Sequence, residues 1–168
     1  MDLNIIAKKM CAKGKGILAA DESTGTIAKR FKSINVENIE KNRLYFRQTL
    51  FNSSAMKEYI GGVILFDETI RQKTTMGLTI PELISKHGAI PGIKVDKGAK
   101  LLAGSKDETV TEGLDGLRER LKEYYDLGAR FTKWRAVYRI DKNLPSAQTI
   151  KSNAHALARY AALVQEAK

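Results

Sequence analysis

Apolar residues along the chain gather into four short runs, each opening after a glycine or another small residue. They are Gly16–Ala20, Gly62–Phe66, Ile90–Val95 and Ala129–Val137. Their length and continuous apolarity predict strands buried on both faces of a parallel sheet. Pro91 removes a ladder donor from the third run and is expected at that strand's first residue. Between and after the runs the apolar spacing changes to three and four. Leu114, Leu117, Leu121 and Tyr124 mark one helix, stopped by Gly128. Ile150, Ala154, Leu157, Ala161 and Val164 mark a longer one, with Pro145 and Ser146 near its start. Glu37–Leu50 reads as a further helix, and Leu3–Met10 as a short N-terminal one closed by Gly14.

Strands alternating with helices mean βαβ units and a parallel sheet. The expected fold class is α/β: the N-terminal half of a TIM (β/α)8 barrel, about four βα units, as a single partial domain over residues 1–168. The last helix runs to Lys168, where the alternation would call for another strand, and a barrel of this type needs about 250 residues. The pattern therefore predicts a chain truncated at its C-terminal end.

With 43% apolar residues, 168 residues suffice to bury one core. No apolar run reaches the roughly 18 residues of a membrane span. Apolar and charged residues alternate from Met1 to Cys11, unlike a secretory signal. Cys11 stands alone, which excludes a disulfide framework or thiolate metal cluster and leaves a small buried hydrophobe as the expected role. These features predict a cytoplasmic protein without a membrane partner. The excess of 29 Lys+Arg over 19 Asp+Glu, a net +10, points to anionic partners. Nucleic acid is not expected, because the basic residues are interspersed with acids and no aromatic-and-basic motif accompanies them. A small phosphorylated substrate accounts for part of the excess, and solvated helix faces for the rest.

Charge also sits at the C-terminal end of every predicted strand: Asp21 and Glu22, Asp67 and Glu68, Lys94 and Asp96, Lys133 and Arg135. Residues two apart on a strand share a face, so Lys94 should point with Asp96 and Lys133 with Arg135. Barrel enzymes place their active sites at this end. The alternative is that these ion pairs only plug the barrel's top. In the turn Asp21–Thr26, hydroxyls and a glycine offer donors to a phosphate, or Ser23 or Thr24 merely caps a helix. Gly14-Lys15-Gly16 precedes a strand, and Gly98–Lys106 lacks the spacing of a P-loop. His87 and His155 have no ligand-spaced companions and are expected at the surface or in caps, so no metal is predicted. Trp134, between two inward cations, should face a helix. No serine–histidine–acid arrangement can be assembled.

The motifs Gly14–Gly25, Gly61–Phe66, Gly92–Gly98, Gly113–Leu117 and Phe131–Arg135, in that order and approximate spacing, resemble class I fructose-bisphosphate aldolase over nearly the whole chain. The resemblance implies a TIM barrel that cleaves fructose 1,6-bisphosphate reversibly to dihydroxyacetone phosphate and glyceraldehyde 3-phosphate, in glycolysis or gluconeogenesis. It implies no metal or other cofactor, and a homotetramer. It makes Asp21 the acid that orients the catalytic lysines and assists at substrate hydroxyls, and Lys133 the lysine that helps form and dehydrate the carbinolamine. Ser23, Lys94 and Arg135 become substrate or phosphate contacts; Thr26 keeps a hydroxyl where relatives often have serine; Arg30 and Arg43 match arginines near the substrate. The family's Schiff-base lysine, principal glutamate and the arginine of the other phosphate lie on later strands and match nothing in these 168 residues. Without the protonated imine as electron sink the remaining acids and bases have little to act on, so this chain alone is expected to be inactive. Two alternatives stand: a Schiff-base aldolase for another ketose phosphate, such as fructose 1-phosphate, or a non-catalytic half-barrel that binds a phosphosugar or a partner protein. Exposed sheet edges weigh against the latter.

Overall fold

The computed structural model describes residues 2–167. In chain order the first elements are α1 (Leu3–Met10), β1 (Gly16–Ala20), α2 (Thr24–Ser33), α3 (Glu40–Phe51), α4 (Ala55–Tyr59), β2 (Ile60–Leu65) and α5 (Asp67–Arg71). There follow α6 (Ile80–Lys86), β3 (Ile90–Lys94), β4 (Ala99–Leu101), β5 (Thr109–Thr111), α7 (Leu117–Asp126), β6 (Phe131–Lys133) and α8 (Ala147–Ala167). The described residues form two compact units, one of residues 2–94 and 124–132, the other of residues 95–123 and 133–167.

The first unit is built on parallel strands. β1 pairs with β2 and β2 with β3, both in parallel, and β6 lies beyond β3 in the order β1-β2-β3-β6. Val63, Leu65, Ile90 and Ile93 are buried in it with Ile27, Phe31, Phe51, Met56, Ile80 and Ile84 from the helices. β1 departs from the expected two-sided burial: Ile17 is 44% exposed and Ala19 is exposed, because β1 ends the sheet and pairs only with β2. Pro91 is the second residue of β3, not the first. Its carbonyl accepts from Arg130 N–H at 2.8 Å. A strand residue's N–H and C=O point to the same side, so the missing donor faces the turn ahead of β6 and costs no bond to β2.

Two glycines of this sheet are set by close approach. A Cβ on Gly61 would lie 2.3 Å from the Met10 carbonyl oxygen at the end of α1. One on Gly92 would lie 2.4 Å from the Phe131 ring. The first helix and the β6 aromatic are thus seated directly on the strands, which only a residue without a side chain permits.

In the second unit β4 and β5 form an antiparallel pair, against which α8 packs. Asn153, 1% exposed, donates its amide to the Thr109 carbonyl of β5 at 2.9 Å and the Thr149 carbonyl at 3.0 Å. Trp134 stacks on Tyr160 of α8 with ring centroids 5.1 Å apart, the helix-facing position the sequence predicts. The fourth apolar run is a strand only over Phe131–Lys133. Beyond Lys133 the backbone bonds to side chains instead of a ladder: Thr111 Oγ1 donates to the Arg135 carbonyl at 2.7 Å, and Arg135 N–H donates to Asp96 Oδ2 at 3.2 Å. Cys11 is also not the buried residue expected; it is exposed, one residue past the end of α1, whose buried face is Ile6.

Candidate active site

Strand register decides which residues meet at the sheet's end in the first unit. Ala20 stands opposite Leu65, and Leu65 opposite Ile93. One residue further on, Asp21, Phe66 and Lys94 form a row, followed by Glu22 in the connection after β1 and by Asp67 and Glu68 at the start of α5 after β2. Parallel pairing sends all three strands out at the same rim, so the charges of β1, β2 and β3 share one edge. Asp21 is buried, 8% exposed, and Lys94 half-buried.

Asp21, Glu22 and Ser23 are the whole connection between β1 and α2. Ser23 is the N-cap: its Oγ accepts from Thr26 N–H at 3.4 Å and lies 3.2 Å from Thr26 Oγ1. The capping alternative is therefore real for Ser23, while both hydroxyls stay exposed beside the rim. Arg30, one and a half turns into α2, pairs with the Glu22 carboxylate and is exposed.

The helix α3 brings two arginines under this edge. Arg43 donates Nε and Nη2 to the two oxygens of Glu68, at 2.8 and 2.6 Å, and Nη1 to the carbonyl and side-chain oxygens of Asn38. Hydrogen bonding to Glu68 raises the guanidinium's pKa against the opposing effect of burial. Arg47, one turn later and 3% exposed, donates to the carbonyls of Ala20 and Glu22 and lies 3.0 Å from Glu22 Oε2. Burial pushes its guanidinium down, and the Glu22 and Asp21 carboxylates oppose that. Arg47 is the residue sequence reasoning missed. Its signal was the spacing Arg43–Arg47–Phe51, which puts two guanidiniums on the helical face that also carries a core phenylalanine.

The other two predicted cations belong to the second unit. Lys133, half-buried, ends β6 and accepts Val95 N–H through its carbonyl at 3.1 Å. Arg135 is exposed. Asp96 lies past the end of β3, buried, where its carboxylate accepts Gly98 N–H at 3.1 Å and Arg135 N–H at 3.2 Å. Its pairing with Lys94 as two positions of one strand therefore does not hold, since β3 stops at Lys94. His87 caps the C-terminus of α6 and His155 is exposed on α8. Among the described residues no three His, Cys, Asp or Glu side chains are grouped closely enough to hold a metal ion. No helix among them is long and apolar enough to cross a membrane.

A family profile described as glycolytic fructose-bisphosphate aldolase class I matches residues 2–168. A probable fructose-bisphosphate aldolase class 1 of Xanthomonas axonopodis pv. citri (strain 306) is 62% identical over 160 residues, 95% of this chain and 48% of the relative. The Arabidopsis thaliana protein named fructose-bisphosphate aldolase 4, cytosolic, is 58% identical over 153 residues, 91% of this chain and 39% of its own length. Among solved structures, fructose-bisphosphate aldolase from Plasmodium falciparum, in a ternary complex with TRAP and a small-molecule inhibitor, superposes with a TM-score of 0.93 at 47% identity. That match covers 97% of this chain and 48% of the other, and it bears out the expected α/β fold of a partial barrel. The chain spans about half the length of the curated relatives it matches.

Proposed function

Since this chain belongs to the class I fructose-bisphosphate aldolase family, we propose that it supplies the first part of an enzyme that reversibly cleaves fructose 1,6-bisphosphate to dihydroxyacetone phosphate and glyceraldehyde 3-phosphate. The observation that carries this reading is the row of Asp21 and Lys94 at one rim of a parallel sheet, in a chain matched by the family from end to end.

Each residue's part follows from its chemistry. The Asp21 carboxylate, buried at the rim, accepts protons from substrate hydroxyls and orients neighbouring ammonium groups. Lys133 supplies the proton with which the carbinolamine hydroxyl leaves as water. Lys94 and Arg135 neutralise phosphate charge, Arg135 through a planar fork suited to two phosphate oxygens. Ser23 and Thr26 add hydroxyl donors at the N-terminus of α2, where backbone N–H groups favour an anion. Arg30 and Arg43 are the further cations that the family resemblance sets near the substrate. The imine that draws electrons from the breaking carbon–carbon bond forms on a lysine that these 168 residues do not provide, so the chain by itself does not turn over. The working enzyme is cytoplasmic, in keeping with a relative named as cytosolic, and a homo-oligomer.

The test is a chimera in which residues 1–168 replace the matched portion of the Xanthomonas relative. It should cleave fructose 1,6-bisphosphate, and Asp21→Asn or Lys133→Met should each lower kcat by about 10²-fold or more, the usual effect of losing a proton-transfer group. A folded chimera without activity, or an Asp21→Asn form with undiminished kcat, would overturn the reading.

A further inference from the structure

Asp21 lies in a three-residue connection, Asp21–Ser23, that belongs to neither β1 nor α2. A carboxylate that must meet a substrate hydroxyl within a few tenths of an ångström needs that connection held still. Arg47 reaches it from α3. Its Nη1 donates to the Ala20 carbonyl and its Nη2 to the Glu22 carbonyl at 2.9 Å. Those carbonyls bracket Asp21: the first belongs to the peptide that enters the residue, the second to the peptide that leaves Glu22 for the helix cap Ser23. Holding the planes at both ends of the Asp21–Glu22 pair restricts the direction in which the Asp21 Cα–Cβ bond points.

The same guanidinium lies 3.0 Å from Glu22 Oε2, within ion-pair distance though not aligned as a hydrogen bond, while Arg30 takes the other oxygen, Oε1. The Glu22 carboxylate is thereby engaged by arginines of both α2 and α3. Arg47 is 3% exposed and its Nε has no partner. A buried cation with an orphaned donor is an expensive way to close a strand end, since a neutral donor could cap a carbonyl without the desolvation of a charge. The cost is understandable where two carbonyls must be held at once by one rigid fork.

We propose that Arg47 is a positioning residue for Asp21, acting by clamping the peptide that enters Asp21 and the peptide that follows Glu22. This rests on Asp21 being catalytic as set out above. The guanidinium does not touch substrate; it sets where the carboxylate stands.

The experiment is a double-mutant cycle in the chimera that carries residues 1–168, with Arg47→Met, Arg47→Lys, Asp21→Asn and the Arg47→Met/Asp21→Asn pair, each checked by its melting curve. Arg47→Met should lower kcat by about 10- to 100-fold, the order expected for a small misplacement, with KM for fructose 1,6-bisphosphate changed less than about twofold. Arg47→Lys, which keeps the charge but bonds one carbonyl, should recover part of the kcat and serves if the methionine form does not fold. In the Asp21→Asn background, Arg47→Met should cost almost nothing further, because residues that act as a unit are not additive. Equal kcat losses in both backgrounds, or a change confined to melting temperature, would overturn the proposal. An Asp21→Asn form with normal kcat would instead sink the reading of Asp21, a separate outcome.

Discussion

Arg43 and Glu68 meet fork to fork, with guanidinium Nε and Nη2 on the two carboxylate oxygens at 2.8 and 2.6 Å. The side chains are 13% and 27% exposed, so water competes little for either. The remaining Nη1 reaches both oxygens of Asn38, at 2.8 and 3.2 Å, which ties the segment leading into α3 to the start of α5 through one residue. Arg43→Lys keeps the charge and loses the geometry, since an ammonium cannot span the carboxylate and Asn38 together. We expect a loss of about 1–2 kcal/mol in chemical denaturation, the scale of one or two charge-assisted bonds after some discount for partial exposure. Glu68→Gln should cost a similar amount; a lysine variant as stable as the parent would remove Arg43 from the structural role given it here.

Gly92 and Phe131 make a sharper prediction. The ring atoms Cε1 and Cζ would stand 2.4 Å from a Cβ at position 92. Gly92→Ala should destabilise by about 1–3 kcal/mol, as overpacking does. Shortening the ring by Phe131→Leu should relieve part of that, so the double variant should be more stable than the sum of the singles. Gly61→Ala should find no such relief, because the obstacle 2.3 Å away is the Met10 backbone carbonyl and not a side chain.

These elements also mark how far the sequence could be read. β1 and α1 have the predicted ends, because glycine and charge bound an apolar run on one side and a capped periodic stretch on the other. The helix expected over residues 37–50 is observed as Glu40–Phe51, a shift of a few residues at its start. α2 shows in the sequence only through a candidate cap, Ser23 or Thr24, and not through a period, since only Ile27 and Phe31 of its ten residues are buried, one pair at a spacing of four. α4 and α5, of five residues each, are too short to show a period at all. The fourth run was read too long because Ala129–Val137 keeps an alternating pattern after its ladder has stopped. What ends the strand there is Asp96 and Thr111, distant in sequence and invisible to a local window. The strand-end charges of β1, β2 and β3 were legible as a set, since parallel strands must expose their ends together. Arg47 was not, because a guanidinium on a helix reads as solvated until the two carbonyls it serves are located.

Asp96 controls the backbone that carries a proposed phosphate contact. Its two oxygens take Gly98 N–H and Arg135 N–H at 3.1 and 3.2 Å, so it holds one loop to the start of another. Asp96→Ala removes both acceptors and frees Arg135 to wander. In the chimera, KM for fructose 1,6-bisphosphate should rise by about tenfold, equivalent to one good hydrogen bond, while kcat stays within about twofold. A fall in kcat at unchanged KM would mean that Asp96 acts on the reacting groups instead.

Acid should weaken the molecule at two identified carboxylates. Glu82 accepts from the backbone N–H and the hydroxyl of Thr79, both at 2.8 Å, and those bonds hold its carboxyl below the usual glutamate range. Glu108 is held low chiefly by the Ser146 backbone N–H, which donates to it at 2.7 Å, with the Ser146 and Thr149 hydroxyls adding to the effect. For both, the folded state binds its proton less readily than the unfolded chain, so their contribution is complete above the unfolded glutamate value of about 4.3. It is lost as pH falls from there through the depressed folded values. Urea midpoints measured from pH 7 down to about 3 should therefore drop, and the drop should shrink in Glu108→Gln and again in Glu82→Gln/Glu108→Gln. At pH 7 the same variants should already be less stable, because a neutral amide makes a weaker acceptor for these donors. An acid profile identical in the parent and the double variant would place the pH sensitivity elsewhere among the nineteen acidic residues.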